Sequence, residues 1–123
     1  MKMPKHATTV YLAGKITGDP YYRLKFLDAA QTLEKAGFIV LNPAMLPSSG
    51  FDYEAYMRIS GAMLAECKAA CFLPDWTDSR GAMFEHGYAA AHGMEIFYFA
   101  EWEQKLKEGL KEGLQEGAQY ATP

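Results

Sequence analysis

The chain encodes an α/β fold built on an open, doubly wound parallel sheet of four or five strands, a three-layer sandwich of the flavodoxin or Rossmann-like kind. Three observations predict it. Short apolar runs alternate with helix-period segments along most of the chain, the pattern of βαβ units. The run Ala69 to Leu73 has no polar residue, as expected of a parallel strand covered on both faces. Gly37, Gly93 and the Asn42-Pro43 pair punctuate the runs where a helix or a strand must stop.

Thr9 to Ala13 suits a buried first strand and ends in the turn cluster Gly14 to Pro20. Tyr22 to Ala36 then reads as a helix whose covered face carries Leu24, Leu27, Ala30 and Leu33, with Gly37 as its stop. Phe38 to Leu41 is a second short strand, closed by Asn42 and Pro43. The Pro-, Ser- and Gly-rich stretch Pro43 to Phe51 is a loop long enough to wall a pocket. Asp52 is placed to cap a helix running to about Lys68, with Tyr56, Ile59, Met63 and Leu64 expected on its buried face. After the third strand and the loop Pro74 to Asp78, Ser79 or Asp78 is placed to cap a helix to Ala91, and Glu95 to Ala100 forms the fourth strand.

Residues 1–103 form the α/β domain on this reading, and residues 104–123 a glycine-containing helical tail. The tail repeats Lys-Glu-Gly-Leu twice and then Gln-Glu-Gly-Ala, which sets Leu106, Leu110 and Leu114 on one stripe. Each interior glycine costs a helix about 1 kcal/mol relative to alanine, so the tail needs something to pack on.

A length of 123 residues fits one domain, and 50% hydrophobic with 22% charged residues is an ordinary globular balance. The net charge of −3 gives no basic field of the kind a phosphate backbone needs, so long nucleic acid is not an expected partner. Cys67 and Cys71 lack a second pair of ligands at zinc-site spacing and read as small core residues, so neither a metal nor a cofactor is expected. No stretch has the length of a membrane span or the form of a signal peptide, which makes the reducing cytoplasm the expected compartment and excludes a membrane partner.

Ligands of open α/β sheets bind beyond the carboxyl ends of the strands, near the point where strand order reverses. The loops there hold Gly14, Lys15, Thr17, Gly18 and Asp19, then Asn42, then Asp75, Trp76, Asp78, Ser79 and Gly81. Ser79 to Ala82 opens a helix whose free N–H groups suit a phosphate or carboxylate. Glu85 falls between Ala82 and Ala89 on the face expected to meet the sheet, where a carboxylate is rarely tolerated without a role or a partner. An exposed glutamate favoured by the helix dipole is the plainer alternative.

Two of these segments, Y-L-A-G-K-I-T-G at 11–18 and S-R-G-A-M-F-E at 79–85, resemble the paired signature of the nucleoside deoxyribosyltransferase-like superfamily, which includes 2-deoxyribosyltransferases and 2′-deoxynucleoside 5′-phosphate N-hydrolases. With N-P-A at 42–44, Y-M-R-I at 56–59 and F-L-P-D-W at 72–76, the chain is more similar still to an uncharacterised bacterial and phage branch, the domain of unknown function DUF4406. The likeness covers residues 8–100. It implies that Glu85 matches a nucleophile attacking the anomeric carbon of a deoxyribosyl group, that Tyr11 bonds near that carboxylate, and that Ser79 and Gly81 hold a 5′-phosphate or 5′-hydroxyl, with Lys15 and Thr17 assisting. It also implies a nucleoside or nucleotide as ligand and a homodimer or larger homo-oligomer; the surplus of large apolar residues on the Asp52 to Lys68 helix puts the expected main contact on its face with Tyr56, Met57 and Met63, the tail being accessory.

The chain departs from that pattern at one place: the superfamily's catalytic aspartate falls near Ser60, where no carboxylate stands. Asp75 or Asp78 is then the expected substitute. Two functions follow, an enzyme cleaving or transferring the N-glycosidic bond and a non-catalytic nucleotide-binding or sensing module. A third reading, an FMN carrier, would stack Trp76 and Tyr53 on the flavin.

Overall fold

The computed structural model describes residues 8–120, with side chains to residue 110. Four strands, β1 (Thr9–Ala13), β2 (Ile39–Leu41), β3 (Ala69–Phe72) and β4 (Glu95–Tyr98), pair throughout in parallel in the order β2-β1-β3-β4. The open parallel sheet read from the sequence is the fold observed, with four strands. Among the described residues four α-helices flank it: α1 (Tyr22–Lys35), α2 (Tyr53–Ala65), α3 (Arg80–Ala91) and α4 (Phe99–Tyr120).

The two-residue alternation of a strand sorts the core into two layers. Val10 and Leu12 of β1, with Ala69, Cys71 and Phe97, meet Phe26, Ala29, Ala30 and Leu33 of α1 and Phe99 and Trp102 of α4. Tyr11 and Ala13, with Ala70 and Phe72, meet Leu64 and Cys67 at the end of α2 and Ala89 of α3. Cys67 and Cys71 therefore lie on opposite faces of the sheet, each as a buried thiol whose pKa burial raises, Cys67 to about 11. Strand order reverses between β1 and β3, because the chain leaves β1 for one edge and returns to its other side.

Caps set the helix starts. The Asp52 carboxylate accepts the Ala55 N–H at 2.7 Å and the Ser79 hydroxyl accepts that of Ala82 at 3.1 Å. Where the sequence left Ser79 and Asp78 as alternatives, Ser79 is the cap.

The expected helix faces need correction. Leu24 and Leu27 of α1 are exposed, and the helix buries Phe26, Ala29, Ala30 and Leu33 instead. A stripe spaced by three drifts around a helix of 3.6 residues per turn, whereas 26, 29, 30 and 33 stay on one side. In α2 Ile59 is exposed, Tyr56 and Met63 are half-buried, and Ser60 with Leu64 takes the inner face.

The fourth strand stops at Tyr98, two residues early, and Phe99 and Ala100 open α4. That helix crosses the boundary expected at residue 103. Trp102 is 1% exposed among Phe38, Phe97 and Phe99, and Leu106 packs on the same cluster, while Leu110 is exposed. The side chain of the third stripe leucine, Leu114, and residues 1–7 and 121–123 lie outside the described residues. Among the described residues no helix is long and apolar enough to cross a membrane.

Candidate active site

A cleft of about 780 Å³ opens at the carboxyl edge of the sheet, between the end of β1 and the start of α3. Its floor is a pair of side chains from the two elements. Tyr11 sits at the centre of β1, and the alternation that sends Val10 and Leu12 to the α1 side sends its ring to the α2 and α3 side. Glu85 lies on α3 in line with Ala82 and Ala89, the buried row of that helix. The Tyr11 phenol donates to Glu85 Oε2 at 2.5 Å, across 74 residues of chain. Glu85 is 6% exposed and Tyr11 1%.

Burial dominates the electrostatics. Withdrawal from water lifts the Glu85 carboxyl to about 7, against the bonds from Tyr11 and Ser60 that favour its charged form. The same withdrawal, with the Glu85 carboxylate beside it, holds the Tyr11 phenol well above its ordinary range. The Ser60 hydroxyl also lies 3.4 Å from the Met57 carbonyl, a long contact that leaves its proton able to turn to the carboxylate. A group that titrates near neutrality at the floor of a cleft is a candidate for proton or nucleophile chemistry.

The walls come from the loops. Gly14, Ile16 and Thr17 line one side, and Leu46, Pro47 and Ser48 overhang from the loop after β2. That overhang is tied at both flanks, since Arg23 Nη2 donates to the Leu46 carbonyl at 2.9 Å and the Tyr56 hydroxyl donates to the Pro47 carbonyl at 2.7 Å. The mouth carries Asp78, Ser79 and Gly81, with Arg80 lying 5.6 Å from the centre of the Tyr53 ring. Gly14 is required by close approach: a Cβ there would stand 2.9 Å from Leu73 Cδ1 and 3.0 Å from Leu73 Cβ. At Gly81 a Cβ would press on Met57 Sδ at 3.2 Å, so glycine keeps the helix start open beside α2.

The cleft thus brings together Tyr11, Gly14, Thr17 and Glu85 with Asp78, Ser79 and Gly81. Five other residues singled out in the sequence face elsewhere. The Asn42 carboxamide caps the turn Pro43–Met45 by accepting the Ala44 N–H at 2.9 Å. Gly18 occupies a turn with φ of 86°. Lys15 contributes its peptide groups to an anchor below the loop. Asp75 belongs to that anchor, paired with Lys25. Trp76 stacks on His86 at 4.2 Å and meets Phe72 edge-on, outside the cleft, so it and Tyr53 do not form the two walls of a flavin site. Sequence reasoning passed over Arg80, Tyr22 and Phe26, which line the cleft. Their signal was position, Arg80 directly after the Ser79 cap and the two aromatics in the first turns of the helix leaving the first loop.

The family model for the domain of unknown function DUF4406 matches residues 8–98. The chain belongs to the DUF4406 family. The comparison with curated proteins found no match. The DUF4406 domain spans all four strands and every residue of the cleft, and ends at Tyr98 where α4 begins.

Proposed function

We propose that this DUF4406 domain hydrolyses or transfers the N-glycosidic bond of a nucleoside or nucleotide, with Glu85 as nucleophile. The observation that carries the reading is the buried, tyrosine-bonded Glu85 carboxylate at the floor of the cleft. A carboxylate oxygen attacks the anomeric carbon, the bond to the base nitrogen breaks, and its electron pair leaves with the base, which takes up a proton. Water, or a second base, then attacks the glycosyl ester and releases Glu85, with overall retention. Support also comes from the resemblance in the 11–18 and 79–85 segments and from Tyr22 and Tyr53, whose rings suit the faces of a base. The α3 start with Arg80 suits a 5′-phosphate. Of the two substitutes considered for the missing aspartate, Asp78 lines the cleft and Asp75 does not, so the assisting role passes to Asp78.

The direct test is release of free base from 2′-deoxynucleosides and their 5′-monophosphates. Attack requires the ionised carboxylate, so kcat/KM is expected to rise with pH through about 7, the value to which burial lifts Glu85. Tyr11→Phe removes a bond that stabilises the charged form, and the rising limb is expected at higher pH. A limb that stays in place in that variant would assign it to another group.

Ser60 in place of an aspartate favours a second reading, a non-catalytic binding or sensing module that takes the same ligand. Ligand-induced thermal stabilisation without base release would select it.

The same domain is expected to self-associate through the outer faces of α2 and α3, where Tyr53, Ile59, Met83 and Phe84 are exposed large apolar residues. Light scattering coupled to gel filtration at micromolar concentration is expected to give at least twice the mass of one chain. A single-chain mass overturns the expectation.

A further inference from the structure

Below the first loop, one ammonium group satisfies three acceptors. Lys25 Nζ, from the first turn of α1, donates to the Lys15 carbonyl at 2.7 Å, to Asp19 Oδ2 at 2.6 Å and to Asp75 Oδ2 at 2.5 Å. The other Asp75 oxygen, Oδ1, accepts the Lys15 N–H at 3.0 Å. Both peptide groups of Lys15 are therefore held, one by Asp75 directly and one through Lys25. The anchor ties β1 to the loop after β3 at the point where strand order reverses. The residues on either side of Lys15, Gly14 and Ile16, are cleft wall, as is Thr17.

Burial on its own would lower the Lys25 pKa, but the bonds to Asp19 and Asp75 outweigh it and raise it. The ammonium therefore stays charged through the neutral range. All three of its hydrogens are committed, which leaves none for a ligand. Asp75 likewise has both oxygens occupied and does not line Glu85's cleft.

We infer that Lys25 and Asp75 are positioning residues that clamp the Gly14–Thr17 wall against the ligand, and that Asp75 does not act on the reacting atoms. The inference rests on the cleft being the ligand site proposed above, but the clamp itself is read without any ligand. Lys15–Ile16 is a tryptic bond in the clamped segment, and Lys35 and Lys68 stand elsewhere in the same chain as internal references for global opening.

Limited trypsin digestion of the native full chain is expected to cut Lys15–Ile16 about tenfold faster in Lys25→Met and in Asp75→Asn, relative to the reference bonds. The double variant is expected to be no faster than either single one, since each breaks the same clamp. Lys25→Arg, which keeps the charge and the donors, is expected to restore protection. Against the four 2′-deoxynucleoside 5′-monophosphates, Lys25→Met is expected to raise KM about tenfold while kcat and the pH limb set by Glu85 stay as in the parent. Unchanged cleavage at Lys15–Ile16 in both single variants overturns the clamp. Loss of turnover in Asp75→Asn with Lys15–Ile16 still protected overturns it as well, because Asp75 would then act chemically. Should no monophosphate bind or react in the parent protein, the functional reading fails while the digestion still decides the clamp.

Discussion

Glu85→Gln is expected to abolish base release while leaving ligand affinity within a few-fold of the parent, and at the same time to make the protein more stable at alkaline pH. The first half follows from the nucleophile's role, since a carboxamide keeps the shape and the contact to Tyr11 but cannot form the glycosyl ester. The second follows from linkage. Burial raises the folded-state pKa of Glu85 from the ordinary 4.5 to about 7, which corresponds to about 3 kcal/mol. With a raised pKa, the folded protein binds the proton more tightly than the unfolded chain. Its contribution is fully present below about pH 4.5 and is lost as pH rises through about 7. The parent is thus expected to lose about 3 kcal/mol of stability from this group between about pH 5 and pH 8, and Glu85→Gln to lose none of it. Urea unfolding across that range checks the claim. Parallel curves for the two proteins would show that Glu85 is not held protonated in the fold.

Trp102→Ala is expected to cost about 3 to 5 kcal/mol and to lower Tm by roughly 10 to 20 °C, the range for deleting a large, fully buried aromatic. Trp102 is 1% exposed and touches Phe38, just ahead of β2, and Phe97 and Phe99, where β4 runs into α4. The residue lies beyond the stretch the family model matches. A calorimetric shift below a few degrees would mean that α4 only rests on the domain.

What the sequence made legible follows from periodicity and caps. The parallel sheet of four or five strands, the Asp52 cap and the choice of Ser79 or Asp78 for the other were readable because apolar runs and capping residues act locally. Glu85 was readable from its place between Ala82 and Ala89, whereas its pairing with Tyr11 was readable only through the resemblance in the 11–18 and 79–85 segments. Asp75 and Trp76 were not: both leave a loop whose backbone sets side-chain direction, and one turned to Lys25 while the other turned to His86. The faces of α1 and α2 failed for a different reason, since several large apolar residues competed for each and packing made the choice. Ser60 took an inner place over Ile59 because Tyr11 and Glu85 gave its hydroxyl company there.

The central position of β1 has a consequence for how the chain matures. Its two neighbours are encoded about 30 and 60 residues downstream, so β1 leaves the ribosome before either partner of its ladder. Tyr11 must then wait for its carboxylate partner until α3 delivers Glu85, 74 residues later. An arrested nascent chain ending before residue 69 would hold a strand with one partner and a tyrosine without its carboxylate, a species for chaperones to shield, and one that contains no assembled cleft.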